Sequence, residues 1–445
     1  MVEHRLHRPL GTFEAALTVT GEHAPFVVVA VIHFDGGPTP ERLRRVLDEL
    51  QRKHPLLRVR IVRHGKELWY DSEEVPRIPF EILQRQSDGH WVELAEAELN
   101  RRFDAEKGPL LRCSYLKASP DEGSGAVRSD LVLTFHHAVM DGTSGTVLVN
   151  RLLELAAAQD AELCEEAEEA LPPVETFFPA RFRGSRGRWQ MARYLGRQIA
   201  DEVRFRMGSR GGRRPSVDPS ARCRIYSAEL SCEATEALAR RLRRERLTVA
   251  TALNAAFLLA AFRHLYGGRN ALLRYINFAN LRPYLRPPVE EHHLGSFISM
   301  LRFTARLGEE PSFWPLAHRL SRQVEAGLRR GEKFTAALLA QTLMRTLIRR
   351  RSERMAATAV SYAGVTRLEP GREGARTAGM HAFVSNVDLG PELTAQARIL
   401  DGRLRIDAVV LDTDMDEALA GKIMDEILWI LGTAGREAAD PGPEA

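Results

Sequence analysis

Residues Leu131–Gly145 read LVLTFHHAVMDGTSG, an apolar run that ends in two adjacent histidines, with Asp-Gly four and five residues after the second. An imidazole with an ordinary pKa near ~6.5 is the side chain best suited to take up and return a proton near neutral pH. Alternation through Leu131, Leu133 and Phe135 continues to His137 and turns His136 to the opposite face. Two histidines on opposite faces cannot serve one substrate atom, so one of His136 and His137 can be the working base while the other helps to seat it. Asp141 falls in the following turn, where it can hold the backbone by hydrogen bonding or pair with an arginine. Gly142 permits a close or left-handed backbone approach. Packing is the competing account, with polar residues marking where a buried strand surfaces. A metal set could be drawn from His136, His137, Asp141, His292 and His293, but adjacent histidines on opposite faces chelate poorly and no HExxH is present. No metal is expected.

The elements that must position these residues alternate between strand and helix. The valine-rich Phe26–Phe34 run reads as a strand, and ERLRRVLDELQRK, with Leu43, Val46, Leu47 and Leu50 at helical spacing, as a helix. HPLLRVRIV returns as a strand, FDAEKGPLLRCSYLKA and SDLVLTFHH supply two more, and TSGTVLVNRLLELAA forms a helix with Leu148, Leu152 and Leu155 on one face. From about residue 156 the pattern changes to an acidic and then an arginine- and glycine-rich stretch, read as a connection with a short helix around Trp189–Arg206. A second strand-helix rhythm follows. It comprises CRIYSAELS, two helices ending at Gly267-Gly268, ALLRYINFANLRPYL, a helical stretch from Ser312 to Ala356, two late strands (HAFVSNVDLG and LRIDAVVLD) and a final helix over Glu417–Gly432. The division expected is 1–175 for a first lobe bearing the histidines, 176–222 for a basic linker and 223–445 for a second lobe, an α/β protein of two similar halves.

Composition narrows the function classes. At 445 residues the chain exceeds the ~250–300 at which single cores stop growing, which agrees with two lobes. The net charge is only +4, and six of 63 basic residues are lysines, so the arginine skew does not argue for nucleic-acid binding. Four scattered cysteines with no CxxC pair fit a reducing compartment. The first residues lack the apolar core of a signal peptide, and no apolar run approaches the ~20 residues of a membrane span. A cytoplasmic monomer without a transmembrane segment is expected.

HHAVMDG matches HHxxxDG and resembles the signature of the condensation-domain-like, CoA-dependent acyltransferase superfamily, nearest its polyketide-associated and wax-ester-type members. ERLRRVLDELQRKHPLLRVRIV, FDAEKGPLLR, LTVATALNAAFLLAAF, NLRPYL, HHLGSFIS and VSNVDLG are similar to the family's other segments, in its order. The resemblance implies two chloramphenicol acetyltransferase-like lobes meeting in a V around a central tunnel, with His137 at mid-tunnel. It implies a structural pairing of Asp141 with an arginine, for which Arg282 of NLRP is the candidate. It further implies an acyl-CoA or an acyl carrier protein as pantetheine-linked donor, a small-molecule alcohol or amine as acceptor, and no bound cofactor. Because a thioester is already activated, no serine or cysteine nucleophile is needed, and the sequence has no GxSxG elbow. What remains is proton removal from the acceptor and stabilisation of the oxyanion. Candidates for the second task are a backbone N–H near Gly142 and the side chains of Ser385 or Asn386. Asn280 and Arg282 are read either as tunnel residues or as a strand-ending turn, and Ser385 and Asn386 either as an active-site wall or as an Asx-turn. Absence of a fused carrier domain, together with NLRP and SNVDLG, favours ester over amide formation. A non-catalytic docking module is the alternative, and the basic stretch Arg204–Arg214 is the candidate contact for the donor's phosphates.

Overall fold

The computed structural model describes residues 5–117, 128–158, 167–208, 218, 220–350, 354–372 and 375–436. The first lobe contains β1 (His7–Pro9), α1 (Thr12–His23), β2 (Val27–Gly36), α2 (Pro40–Lys53), β3 (Arg60–His64), β4 (Glu67–Asp71), β5 (Phe80–Gln84), α3 (His90–Leu99), β6 (Leu111–Lys117), β7 (Arg128–His136) and α4 (Gly142–Ala157). A long helix, α5 (Gly184–Gly208), leads to the second lobe. That lobe contains β8 (Cys223–Glu229), α6 (Cys232–Arg244), α7 (Val249–His264), β9 (Ala271–Asn280), β10 (Ile298–Leu307), α8 (Phe313–Arg330), α9 (Glu332–Arg350), β11 (Thr358–Thr366), β12 (Gly371–Arg372), β13 (Ala375–Val384), β14 (Leu393–Leu400), β15 (Arg403–Leu411) and α10 (Glu417–Arg436).

Two mixed six-stranded sheets organise the molecule, in the orders β12-β13-β2-β7-β6-β5 and β10-β9-β11-β14-β15-β8. β2 and β7 are central and buried on both faces, which explains their unbroken apolar runs. Val27, Val29, Val31 and Val132 pack on one side, while Ile32, Phe34, Leu131, Leu133 and Phe135 pack on the other. α2 starts where Thr39 accepts a hydrogen bond from the Arg42 amide ahead of Pro40, and it buries Leu43, Val46, Leu47 and Leu50. α7 is buried nearly all round in the second core, from Ala252 to Phe262.

Four features depart from the sequence expectation. First, the division at residue 223 does not follow the sheets, because β13 leaves the second half of the chain and pairs antiparallel with β2, His381 opposite Val31. A strand register needs only matching edges and faces, and these can come from distant sequence. Second, the 176–222 segment is more than a solvated connection. α5 extends beyond the expected helix and seats Tyr194 in a small core with Leu301 and Ala336. Third, HPLLRVRIV opens with a 3₁₀ turn at Pro55–Arg58, and its strand joins a separate three-stranded sheet of order β1-β4-β3. Fourth, the Ser312–Ala356 stretch is two helices. Gly331 between them has φ of 75°, and a side chain there would strike the Phe182 ring. Arg210, Arg213 and Arg214 of the basic stretch lie outside the described residues.

Candidate active site

β7 ends at His136, and His137–Val139 form a 3₁₀ turn before α4, so the strand does not run through His137 as alternation suggests. The separation of the two rings nevertheless persists. His137 lines a cavity between the lobes together with Phe135, whereas His136 lies away from it, edge-on to Phe103 at 6.0 Å. The cavity measures about 170 Å³ and is walled by Phe26 just ahead of β2, by Val28 and Ala30 of the first sheet and by Ile276, Phe278, Ile298 and Met300 of the second.

The two imidazoles are held as different tautomers. His137 Nδ1 lies 3.0 Å from the Met140 carbonyl oxygen. A carbonyl can only accept, so Nδ1 carries the proton and the Nε2 lone pair is left available. His136 Nδ1 accepts from the Ala138 amide at 3.2 Å, which puts its proton on Nε2. Burial pulls both pKa values down, to about 4 for His136, where the neighbouring His137 adds to the effect. For His137 burial is again the largest cause, opposed by its backbone hydrogen bonds and by the Asp141 charge. Both rings are therefore neutral at neutral pH. Phe26 stacks on His137 at 5.3 Å and fixes the ring plane.

Asp141 caps α4 and ties the lobes together. Its Oδ1 accepts from the Ser144 amide at 2.8 Å, and its Oδ2 accepts from Arg282 Nη1 at 2.7 Å and from the Phe297 amide at 2.8 Å. Arg282 Nη2 donates to Ser144 Oγ at 2.7 Å and also reaches the His293 carbonyl oxygen. The guanidinium lies over the Phe297 ring at 4.4 Å. Asp141 is 1% and Arg282 2% exposed, so this is a buried ion pair in which both Nη groups are hydrogen-bonded and Nε is left without a partner among the described residues. It clamps the turn that presents His137 to the loop between β9 and β10.

The other expected site residues divide. Arg282 is enclosed in the clamp, and Asn280 is the exposed last residue of β9, whose Oδ1 accepts from the Arg282 amide at 3.0 Å; neither lines the cavity. Ser385 and Asn386 do line it. Ser385 Oγ donates its one hydrogen to the Leu99 carbonyl at 2.9 Å, whereas Asn386 Nδ2 gives one of its two to that of Pro391 at 2.8 Å. The Ser385 hydroxyl is therefore committed, and Asn386 keeps one N–H. Gly142 is not in the left-handed region, and a Cβ on it would meet nothing within 4 Å. It is the first residue of α4 and faces the cavity, where backbone N–H groups of a first turn have no intrahelical partner.

The sequence reading missed the polar row on β14. Thr394, Gln396 and Arg398 line the cavity, while Ala395 and Ala397 between them are buried in the second core. The alternation in TAQAR was visible, but it looks the same on a surface strand. His292 pairs with Glu290 at 3.2 Å, and no group of three potential metal ligands occurs among the described residues. A second, open groove of about 1160 Å³ runs between α5, β10 and α8 and includes Arg197, Arg204, Arg302, Arg319, Arg322 and Arg330 in its walls. No single helix among the described residues is long and apolar enough to cross a membrane.

Comparison with known proteins finds the same two-lobed architecture among acyltransferases and condensation domains. The profile of the phthiocerol/phthiodiolone dimycocerosyl transferase C-terminus matches residues 219–408. The phthiocerol/phthiodiolone dimycocerosyl transferase of Mycobacterium sp. (strain JLS) is 26% identical over 267 residues, covering 56% of this chain and 62% of that protein. Among solved structures, the trichothecene 15-O-acetyltransferase of Fusarium sporotrichioides superposes with a TM-score of 0.77 at 12% identity, covering 97% of this chain and 96% of that one. The first condensation domain of the calcium-dependent antibiotic synthetase gives 0.70 at 15% identity, with 98% of each chain covered. The chain spans between 4% and 62% of the length of the curated relatives it matches. The chain is thus similar to condensation-domain-like acyltransferases, and its two lobes have the chloramphenicol acetyltransferase-like fold.

Proposed function

We propose that the protein transfers an acyl group from a pantetheine thioester, carried on CoA or on an acyl carrier protein, to the hydroxyl of a small acceptor. The supporting observation is the tautomer of His137. With Nδ1–H bound to the Met140 carbonyl, Nε2 is the basic atom of a ring that lines the interlobe cavity. In this reading the acceptor oxygen attacks the thioester carbonyl carbon as Nε2 takes the hydroxyl proton. The tetrahedral intermediate then expels the thiolate, which takes the proton back from the imidazolium, leaving an ester and a free thiol. General-base catalysis of this kind contributes about 10²–10⁴-fold. The first-turn amide of Gly142, at the positive end of the α4 dipole, is the proposed oxyanion donor. Asp141 and Arg282 act at one remove, by holding the turn. The arginine-walled groove along α5 suits the phosphates of the donor.

The test is thiol release from a panel of acyl-CoAs and acyl-carrier proteins, with pooled alcohols and amines as acceptors and His137→Ala alongside. Acceptor-dependent release with an alcohol, lowered by about 10²–10⁴-fold in the variant, is expected. Release with amines alone would replace the ester by an amide product. No release with any donor would reject the enzyme reading in favour of a docking module.

A further inference from the structure

Arg398 of β14 is 3% exposed and lines the same cavity as His137. Among the described residues its one hydrogen bond is from Nη1 to the Met380 thioether at 3.4 Å, a weak acceptor, and its buried Nε has no partner. The carboxylate whose field it feels, Asp407, is engaged elsewhere. Asp407 Oδ1 takes His381 Nδ1 at 2.7 Å and Ser227 Oγ at 2.9 Å, and its Oδ2 takes the Ala382 amide at 2.9 Å. Burial consequently pulls the Arg398 pKa down. Two residues along the strand, on the same face, Gln396 also lines the cavity. Beyond it Thr394 does too, with a buried hydroxyl that has no partner. The remainder of the cavity is largely apolar.

A guanidinium taken out of water without a hydrogen-bonded counter-charge is expensive to fold around, and buried polar groups in native proteins are nearly always satisfied. A cluster left short of acceptors beside an open cavity is complementary to a ligand that brings acceptors. Arginine's fork matches a carboxylate in particular, and charge-assisted bonds of this kind are the strong ones. We infer that the β14 row of Thr394, Gln396 and Arg398 is a carboxylate-recognition subsite, so that one of the two substrates brought to His137 bears a carboxylate. The cavity is smaller than the ~300–1,000 Å³ of pockets for drug-sized ligands, so the carboxylate sits on a short chain. Its bearer is either a hydroxy acid serving as acceptor or an acyl donor with a terminal carboxylate. The inference rests on the acyl-transfer reading for its substrates but not for its test, which is binding.

Isothermal titration would compare 3-hydroxyhexanoate with 1,3-hexanediol, and glutaryl-pantetheine with pentanoyl-pantetheine. Wild-type protein, His137→Ala, Arg398→Met and Arg398→Lys would be used. In one of the two pairs the carboxylate should bind at least about tenfold more tightly to wild type and to His137→Ala. That pair identifies which substrate bears it. Arg398→Met should lose the preference and Arg398→Lys retain part of it. Arg398→Met should also melt higher than wild type, which an arginine serving the fold would not allow. No preference in either pair, or one that survives Arg398→Met, overturns the subsite. If Arg398→Met does not fold, the wild-type comparison and Arg398→Lys still decide. A carboxylate preference without thiol release would sink the acyl-transfer reading and keep the subsite; thiol release without the preference would do the reverse.

Discussion

Arg282 and Arg398 are the same residue type, buried to the same depth, in opposite situations. Nε lacks a partner in both, but the Nη groups of Arg282 meet a carboxylate, a hydroxyl and a carbonyl oxygen against an aromatic face, while among the described residues those of Arg398 meet one sulfur atom. The first sits where the two lobes must be locked, and the second where they leave a cavity. The same contrast separates the histidines. His136 spends its Nδ1 lone pair on the Ala138 amide, and His137 is arranged so that its remaining lone pair stays free. Burial alone therefore does not sort structural from functional polar groups here. What sorts them is whether the protein supplies the partners.

The contrast can be broken at its strongest point first. Arg282→Met leaves the Asp141 charge buried without its counter-ion, and about 3–5 kcal/mol of unfolding free energy should be lost in urea titrations. A loss under ~1 kcal/mol would mean that the clamp does not hold the seam. Next is acid sensitivity. His136 has a folded pKa of about 4 against ~6.5 unfolded, so the unfolded chain binds the extra proton between those values. The stability from keeping it neutral is complete above ~6.5 and is lost as pH falls towards 4, in all by about 3 kcal/mol. His136→Asn should flatten that window; an undiminished slope in the variant would remove His136 as its source.

Asp141→Asn keeps the cap and lowers the charge, so a smaller loss of about 1–3 kcal/mol is expected, with turnover falling in parallel. A fully stable but slow variant would instead make Asp141 a participant in the chemistry. Arg398→Met carries the opposite sign. Replacing an unpartnered buried cation by an apolar chain of similar length should add on the order of 1 kcal/mol. Finally, because burial lowers the His137 pKa, the acid limb of kcat/KM should fall below ~6.5, with activity lost as pH drops through it. A limb at or above ~6.5 would contradict a desolvated base.

Much of this architecture was legible in the chain. The helical spacing of Leu43 to Leu50 and the Thr39-Pro40 start specify α2, because local hydrogen bonding and one apolar face are enough to define a helix. The double burial of β2 and β7 shows in their unbroken apolar runs. HHAVMDG placed a strand end, a histidine turn and a helix cap in seven residues, since all three are local. The sequence also named Arg282 as the partner of Asp141, by resemblance rather than by spacing. It could not assign β13 to the first lobe, because pairing with β2 joins residues more than 300 apart through backbone groups that every residue has. It left Asn280 and Arg282 open between the tunnel wall and a strand-ending turn; the first ends β9 and the second is sealed in the clamp. It left Arg398 unremarked among many arginines. Spacing determines which face of β14 is polar; only the packing of the second lobe against the first decides that this face looks into the cavity beside His137 rather than into water.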